Sequence, residues 1–141
     1  VGTVPVPEKK KVVRRKKKVA LAGTMLLADD EEMVLDVGRA MLEQLGFDVI
    51  VAVDGLEALE KFRQSPRDIK CVVLDLTMPK MDGAEVFREI RKIRGDIPVI
   101  LTSGYPEEEV AEHFSGVVPS AYLEKPFQLA KLTERINRVL I

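Results

Sequence analysis

Carboxylate, hydroxyl and ammonium side chains follow short apolar segments at four places along the chain. They are Asp29 and Asp30, Asp75, Ser103, and Lys125. Phosphoryl transfer uses this set: a carboxylate attacks phosphorus, an ammonium group neutralises phosphoryl oxygens, and a hydroxyl donates a hydrogen bond to one of them. Each residue type is common in loops, so the prediction requires that the fold bring the four places together.

Clustered carboxylates need positive charge nearby, because they repel one another and would not all ionise alone. Lys125 supplies one positive charge, and a divalent cation would supply two more. The chain has a single histidine and a single cysteine, so no Cys and His cluster is available for zinc. Carboxylate oxygens favour Mg²⁺. We therefore expect a magnesium site, with His113 at its rim or on the surface and Cys71 as a buried structural thiol.

Apolar segments predict five strands that alternate with five helices. The strand segments are residues 25–28, 47–53, 71–74, 97–101 and 121–123. Strands that are apolar throughout are typical of a parallel sheet buried on both faces. The alternation predicts a doubly wound α/β sandwich. Since ligands of such sheets bind outside the carboxyl ends of the strands, the candidate groups should share one edge.

Helical periodicity places the predicted helices after the strands. The inward residues are expected to be Met33, Val34, Val37, Met41 and Leu45; Leu59 and Phe62; Val86, Phe87, Ile90 and Ile93; Val110 and Phe114; and Leu129, Leu132, Ile136, Val139 and Leu140. Gly46 should end the first helix, and Pro106 should begin the fourth. Asp54 and Glu57 are spaced as a capping box for the second.

The chain of 141 residues is long enough for one compact domain. Residues 1–23 contain eight of the 22 Lys and Arg residues but one of the 23 acids, so a basic segment precedes an acidic remainder. We interpret residues 1–23 as a flexible linker and residues 24–141 as the folded domain. A solvated tether is favoured over a nucleic-acid contact, because a charge run alone is weak support for binding.

No apolar run approaches the about 18 residues of a membrane span, so no membrane contact is expected in this segment. Residues 19–28 follow a lysine run but lead directly into four acids, without the cleavage pattern of a signal peptide. One cysteine fits a reducing compartment, which predicts a cytoplasmic location, although the parent protein could be membrane-anchored. The chain begins at Val1, so we expect it to be a piece of a longer protein.

Four motifs in this chain resemble the receiver domain of response regulators in two-component signalling. They occupy residues 27–31, 73–83, 101–104 and 123–127, and the likeness runs collinearly from residue 24 to residue 141. The resemblance implies a CheY-like, flavodoxin-like fold, with a five-stranded parallel sheet of order 2-1-3-4-5 and five helices. Residues 103–106 and 123–127 look most like those of receivers fused behind sensor histidine kinases, which suggests the C-terminal receiver of a hybrid kinase.

The resemblance implies a catalytic or switch role for four residues. Asp75 is implied to be the phosphoacceptor, and Lys125 is implied to pair with the phosphoryl group. Ser103 is implied to be the hydroxyl that follows the phosphoryl group, and Tyr122 to be the switch aromatic that turns inward with it. The change would be transmitted to the face made by the fourth helix, fifth strand and fifth helix, which could also form a dimer.

The resemblance also implies a ligand set for Mg²⁺. Asp30 and Asp75 would bind the ion directly, together with the backbone carbonyl of Thr77, and Asp29 would hold a metal-bound water. By the same likeness the peptide bond between Lys125 and its following proline should be cis. Gly83 is expected to adopt a turn conformation with positive φ.

The implied function is a phosphoacceptor switch that receives its phosphoryl group from a histidine kinase or a histidine phosphotransfer protein or domain. Such a domain catalyses its own phosphorylation and dephosphorylation without a separate substrate, although the parent protein could be a kinase. The partner is expected to dock across the first helix, near residues 33–39, and the loops above Asp75.

Three alternatives have to be considered. A haloacid-dehalogenase-type phosphatase also uses an aspartate nucleophile, but it requires a second acid two residues later, where this chain has Thr77. A pseudo-receiver would act as a binding module without phosphorylation, but it should lack one of the site residues. A nucleic-acid-binding role for residues 9–18 is disfavoured because the acidic domain would repel phosphates.

Overall fold

The computed structural model describes residues 22–113 and 118–140. The strands are β1 (Gly23–Ala28), β2 (Phe47–Ala52), β3 (Ile69–Asp75), β4 (Val99–Ser103) and β5 (Ala121–Glu124). The helices are α1 (Glu32–Gln44), α2 (Gly55–Gln64), α3 (Gly83–Ile93), α4 (Glu107–His113) and α5 (Leu129–Leu140). Within these residues, five strands alternate with five helices, which confirms the predicted architecture.

All strand pairs are parallel, and the sheet order is β2-β1-β3-β4-β5, as expected. The register pairs Ala28 with Leu74, and Asp75 with Thr102. Ser103, at the end of β4, pairs with Glu124 at the end of β5. Four strands therefore end at the same edge, and the polar residues that follow them meet there.

The sheet is buried on both faces. Leu26 faces a layer formed by α2, α3 and α4, to which Phe62 and Ile90 contribute. Leu27 faces the opposite layer, formed by α1 and α5, to which Leu42 and Ile136 contribute. Successive strand residues point to opposite faces, so a strand covered on both sides is apolar at every position. This is the reason that β1 and β3 appear as continuous apolar runs.

The inward face of α1 differs from the prediction. Leu35, Gly38 and Leu42 are buried, whereas Met33 and Val37 are 78% and 49% exposed. Both sets recur at helical spacing, so periodicity could not separate them. The close approach of Gly38 to β1 decides the matter, because a Cβ there would lie 3.0 Å from a side-chain carbon of Leu27.

Helix capping also departs from the prediction. Asp54 caps α2 by accepting from the backbone N–H of Glu57, but the Glu57 side chain accepts from Val53 rather than from Asp54. The prediction of a capping box there was therefore wrong in its second half. A reciprocal capping box, which the sequence analysis missed, joins Asp82 and Glu85 at the start of α3.

Other predicted boundaries and positions shift slightly. β1 begins at Gly23, inside the predicted linker, and residues 1–21 lie outside the described residues. β4 begins at Val99, after Pro98, so Ile97 is buried but precedes the strand. Ile93 is 39% exposed rather than inward. Phe114, which was predicted to face inward, lies outside the described residues.

No helix among residues 22–113 and 118–140 has the length and apolar character needed to cross a membrane.

Candidate functional site

The three aspartates of the predicted site meet at the carboxyl edge of the sheet. Asp29 and Asp30 follow β1, and Asp75 is the last residue of β3. One carboxylate oxygen from each lies within 4.8 Å of the others. Asp29 and Asp75 are buried, whereas Asp30 is exposed. The site therefore combines two carboxylates shielded from water with one that solvent reaches.

Lys125 is the basic residue of this cluster. Its Nζ lies 3.1 Å from Oδ2 of Asp29 and 3.4 Å from Oδ1 of Asp75. A third carboxylate, that of Glu31, approaches Nζ at 3.1 Å. Only 14% of the Lys125 side chain is exposed. One ammonium group is thus shared among three carboxylates in a largely buried setting.

Burial is the main reason that the pKa of Asp75 is raised to about 7 from an ordinary 3.8. The negative charge of Asp29 raises it further, and Lys125 opposes both effects. Burial lowers the pKa of Lys125, but Asp75, Asp29 and Glu31 outweigh this, so its pKa lies above the usual range. A carboxyl group that is costly to ionise is the kind of group that a bound cation would stabilise in its charged form.

The donor set fits a hard divalent cation. The converging ligand atoms are carboxylate oxygens, without sulfur or nitrogen. The cavity above them, about 390 Å³ in volume, is lined by residues that include Asp30, Asp75 and Thr77. The backbone N–H of Thr77 points to Oδ1 of Asp75 at 3.5 Å, which places the Thr77 peptide beside the acceptor.

Two close backbone approaches hold the loop between β3 and α3. A Cβ at Gly83 would lie 2.4 Å from the carbonyl oxygen of Asp75, and the Gly83 N–H donates to Leu76. A Cβ at Gly55 would lie 1.8 Å from the carbonyl oxygen of Met81. Gly83 does not have positive φ, so that prediction was wrong: glycine is required there by close packing. The positive φ of this loop belongs to Lys80, at 69°.

Ser103 of β4 and Tyr122 of β5 line a shared cavity. The Oγ atom of Ser103 accepts a hydrogen bond from the backbone N–H of Tyr105 at 3.0 Å. Ser103 and Tyr105 line this cavity, which has a volume of about 90 Å³, together with Tyr122 and Glu107. Burial raises the pKa of the half-buried Tyr122, and the charge of Glu107 adds to the effect.

A larger apolar groove adjoins the site between α1 and the β5–α5 connection. Its volume is about 410 Å³, and its lining includes Met33, Val34, Val37 and Phe127. This groove explains why the first helix carries apolar residues on two faces. The groove includes part of residues 33–39, where docking was predicted, and also Phe127, which was not part of that prediction.

The structure brings Asp29, Asp30, Asp75 and Lys125 together, with Thr77 lining the same cavity, whereas Ser103 and Tyr122 line a separate, smaller cavity. The predicted cis bond is present between Lys125 and Pro126. Two contacts were missed. Glu31 contacts Lys125, and Lys80 contacts Asp54, whose Oδ2 lies 3.5 Å from Nζ. The position of Glu31 directly after the acidic pair was a usable signal, whereas nothing in the local pattern indicated the Lys80 contact.

A doubly wound sheet with an acidic, lysine-bearing carboxyl edge defines a class of phosphoryl-transfer domains. Residues 25–137 match the family described as "Response regulator receiver domain". The chain therefore belongs to the receiver family of two-component signalling.

Individual relatives point to the same family. The chain is 40% identical over 116 residues to response regulator RR06 of Streptococcus pneumoniae, covering 82% of this chain and 52% of the relative. It is 35% identical over 136 residues to sensor kinase CckA of Brucella abortus, covering 96% of this chain and 14% of the relative. The chain thus spans about half the length of the first and a small part of the second.

A solved structure supports the fold. The receiver domain of sensor histidine kinase PA1611 from Pseudomonas aeruginosa, with magnesium coordinated in its active-site cleft, superposes with a TM-score of 0.77 at 26% identity. The alignment covers 84% of this chain and 98% of that domain.

Proposed function

We propose that Asp75 accepts a phosphoryl group from a phosphohistidine on a partner kinase or phosphotransfer protein, in a magnesium-dependent reaction. The observation that carries this proposal is the position of Asp75, which is buried at the end of β3 between a second carboxylate and Lys125. Burial of an acidic group in such a position is costly and has no structural benefit that an apolar residue would not also give.

In the proposed reaction, a carboxylate oxygen of Asp75 attacks phosphorus and forms an acyl phosphate. The phosphorus–nitrogen bond to the histidine breaks, and the imidazole nitrogen keeps the electron pair and takes up a proton. Lys125 reaches Asp75 at 3.4 Å and is placed to neutralise a transferred phosphoryl oxygen. Ser103 lies at the neighbouring strand end and would donate a hydrogen bond to another.

Asp30, Asp75 and the carbonyl of Thr77 would hold the Mg²⁺ ion, with Asp29 acting through a water molecule. When bound, the ion supplies positive charge that stabilises the ionised acceptor and the phosphoryl oxygens. The support for this ligand set is the oxygen-only cluster within 4.8 Å and the presence of magnesium in the PA1611 receiver.

The partner is proposed to dock in the groove beside α1. Met33 is 78% exposed, and Met33, Val37 and Phe127 line an apolar groove that opens next to the acceptor site. An apolar surface of this kind suits the apolar stripe of a partner helix that carries the donor histidine. The output face would be α4, β5 and α5, where Tyr122 and Glu107 share a cavity with Ser103.

The parent protein is proposed to be either a response regulator or a hybrid kinase, since the chain has a relative in each group. The competing interpretation of the domain is a pseudo-receiver that binds partners without being phosphorylated. The side chains of Asp29, Asp30, Asp75 and Lys125 converge, and Ser103 is present at the end of the neighbouring strand, which favours phosphorylation.

The test is to incubate the full chain with Mg²⁺ and acetyl phosphate and to measure the intact mass, with Asp75→Asn as the control. We expect wild type to gain one phosphoryl group, only when Mg²⁺ is present, and Asp75→Asn to gain none. If wild type gains nothing, a magnesium titration distinguishes a site that accepts only from a protein donor, which still binds the ion, from a pseudo-receiver.

A further inference from the structure

Glu31 makes a contact with Lys125 that the proposed phosphoryl-transfer role does not explain. Its Oε1 lies 3.1 Å from Nζ, which is as close as Asp29 comes to the same atom. Unlike Asp29, whose side chain is 1% exposed, the Glu31 side chain is 62% exposed. Glu31 therefore holds Lys125 from the solvent side, where a donor molecule would have to approach.

The contact occurs although Glu31 occupies the N-cap position of α1. Its side chain makes no capping hydrogen bond there, and it extends to Lys125 instead. Its backbone N–H donates to Oδ1 of Asp29 at 2.9 Å, which fixes the main chain beside the acidic cluster. The Glu31 carboxylate is therefore engaged by Lys125 and not by its own helix.

Glu31 also borders both cavities. With Lys125 and Gly104, it lines the acidic site and the apolar groove beside α1. A partner that fills the groove would therefore contact Glu31 as well as the acidic site. A small free phosphodonor needs only the acidic site, where it meets Lys125 while Glu31 is still bound to it.

We propose that Glu31 is a specificity-determining residue that holds Lys125 and so disfavours phosphorylation of Asp75 by small free phosphodonors. This inference rests on the proposed function. The Glu31 contact has to be exchanged for a contact with a phosphoryl oxygen during transfer from any donor. A docked partner can displace the Glu31 carboxylate, whereas a small anionic donor has to compete with it directly.

The test compares initial rates of phosphorylation by acetyl phosphate in three variants of the full chain. Glu31→Gln removes the charge, Glu31→Asp keeps the charge but shortens the side chain by one methylene and so weakens the 3.1 Å contact with Lys125, and Glu32→Gln removes the adjacent exposed charge as a matched control. Exposed ion pairs have energies that correspond to about two- to fivefold in a rate. We expect Glu31→Gln and Glu31→Asp to react about two- to fivefold faster than wild type, and Glu32→Gln to match wild type.

The outcomes separate this inference from the proposed function. If Glu31→Gln is no faster than Glu32→Gln, or if Glu31→Asp behaves as wild type, the contact between Glu31 and Lys125 does not control the rate and the role of Glu31 is refuted. A slower Glu31→Gln would mean that Glu31 positions Lys125 for transfer, which also refutes it. If wild type is not phosphorylated and does not bind Mg²⁺, the proposed function fails, and the inference fails with it.

Discussion

Replacing Asp75 with Asn should stabilise the metal-free protein at neutral and alkaline pH. The Asp75 carboxyl group is 2% exposed and lies beside Asp29, so its ionisation is opposed by burial and by like charge. Asparagine has nearly the same shape but no charge to bury. The ionised Asp75 side chain therefore destabilises the folded protein, and Asp75→Asn should remove that destabilisation.

The magnitude follows from the pKa of about 7 in the folded protein against 3.8 for an ordinary aspartate. Between pH 3.8 and about 7, Asp75 is ionised in the unfolded chain but still protonated in the folded protein. Because the folded state binds more protons in this range, the free energy of unfolding falls as the pH rises. The stability that the protonated Asp75 contributes relative to its ionised form is fully present below about pH 4 and is lost as the pH rises through about 7. About three pKa units at ~1.4 kcal/mol each set an upper limit of ~4 kcal/mol.

The assay is urea unfolding followed by circular dichroism, in EDTA, at several pH values between about 4 and 8. We expect the unfolding free energies of wild type and Asp75→Asn to coincide near pH 4 and to diverge by a few kcal/mol at pH 8. Asp48→Asn, which changes an exposed acid on β2, is the matched control and should follow wild type. Added Mg²⁺ should stabilise wild type and leave Asp75→Asn nearly unchanged.

Parallel pH profiles for wild type and Asp75→Asn would refute this reasoning. They would mean that Asp75 ionises in the folded protein as easily as in the unfolded chain, and that Lys125 fully offsets its burial. The proposed need for a cation at the acceptor would then lose its energetic basis.

Two further predictions concern the acceptor loop and the groove. Gly83→Ala should destabilise the protein by about 1–3 kcal/mol in urea unfolding, because the new Cβ would lie 2.4 Å from the carbonyl oxygen of Asp75. Gly95→Ala, whose nearest neighbour would be at an ordinary 3.7 Å, is its control, and equal effects would contradict the packing argument. Met33→Gln, which makes the groove polar without adding charge, should leave phosphorylation by acetyl phosphate unchanged but should slow transfer from a phosphorylated partner, since Met33 is exposed and lines the groove. Equal rates from the partner would exclude the groove as its docking site.

The sheet could be predicted because each strand carries its own signal. Residues 71–74 are apolar without alternation, and the short length and β-branched content of this run indicate a strand covered on both faces. Once the alternation of strands and helices was established, the rule for parallel sheets placed Asp75 and Lys125 at one edge without knowledge of any contact.

The face of α1 could not be predicted in the same way. Met33 and Leu35 are equally apolar, and which of them is buried depends on how closely the helix approaches the sheet at Gly38. The same limit applies to Gly83, where the sequence indicates only that glycine is needed. Whether the reason is a positive φ or a close backbone approach depends on the tertiary structure, and here it is the approach to Asp75.

On the proposed function, the resting hydrogen bond of Ser103 provides the physical link between the site and the output face. A hydroxyl group can accept one hydrogen bond and donate another, so Ser103 can bind a phosphoryl oxygen while it still accepts from Tyr105. Any movement of Ser103 toward Asp75 would then pull the backbone at Tyr105, directly before α4. That movement would enlarge or close the cavity of about 90 Å³ that Tyr122 borders. A charge at the end of β3 would in this way change the surface formed by α4, β5 and α5.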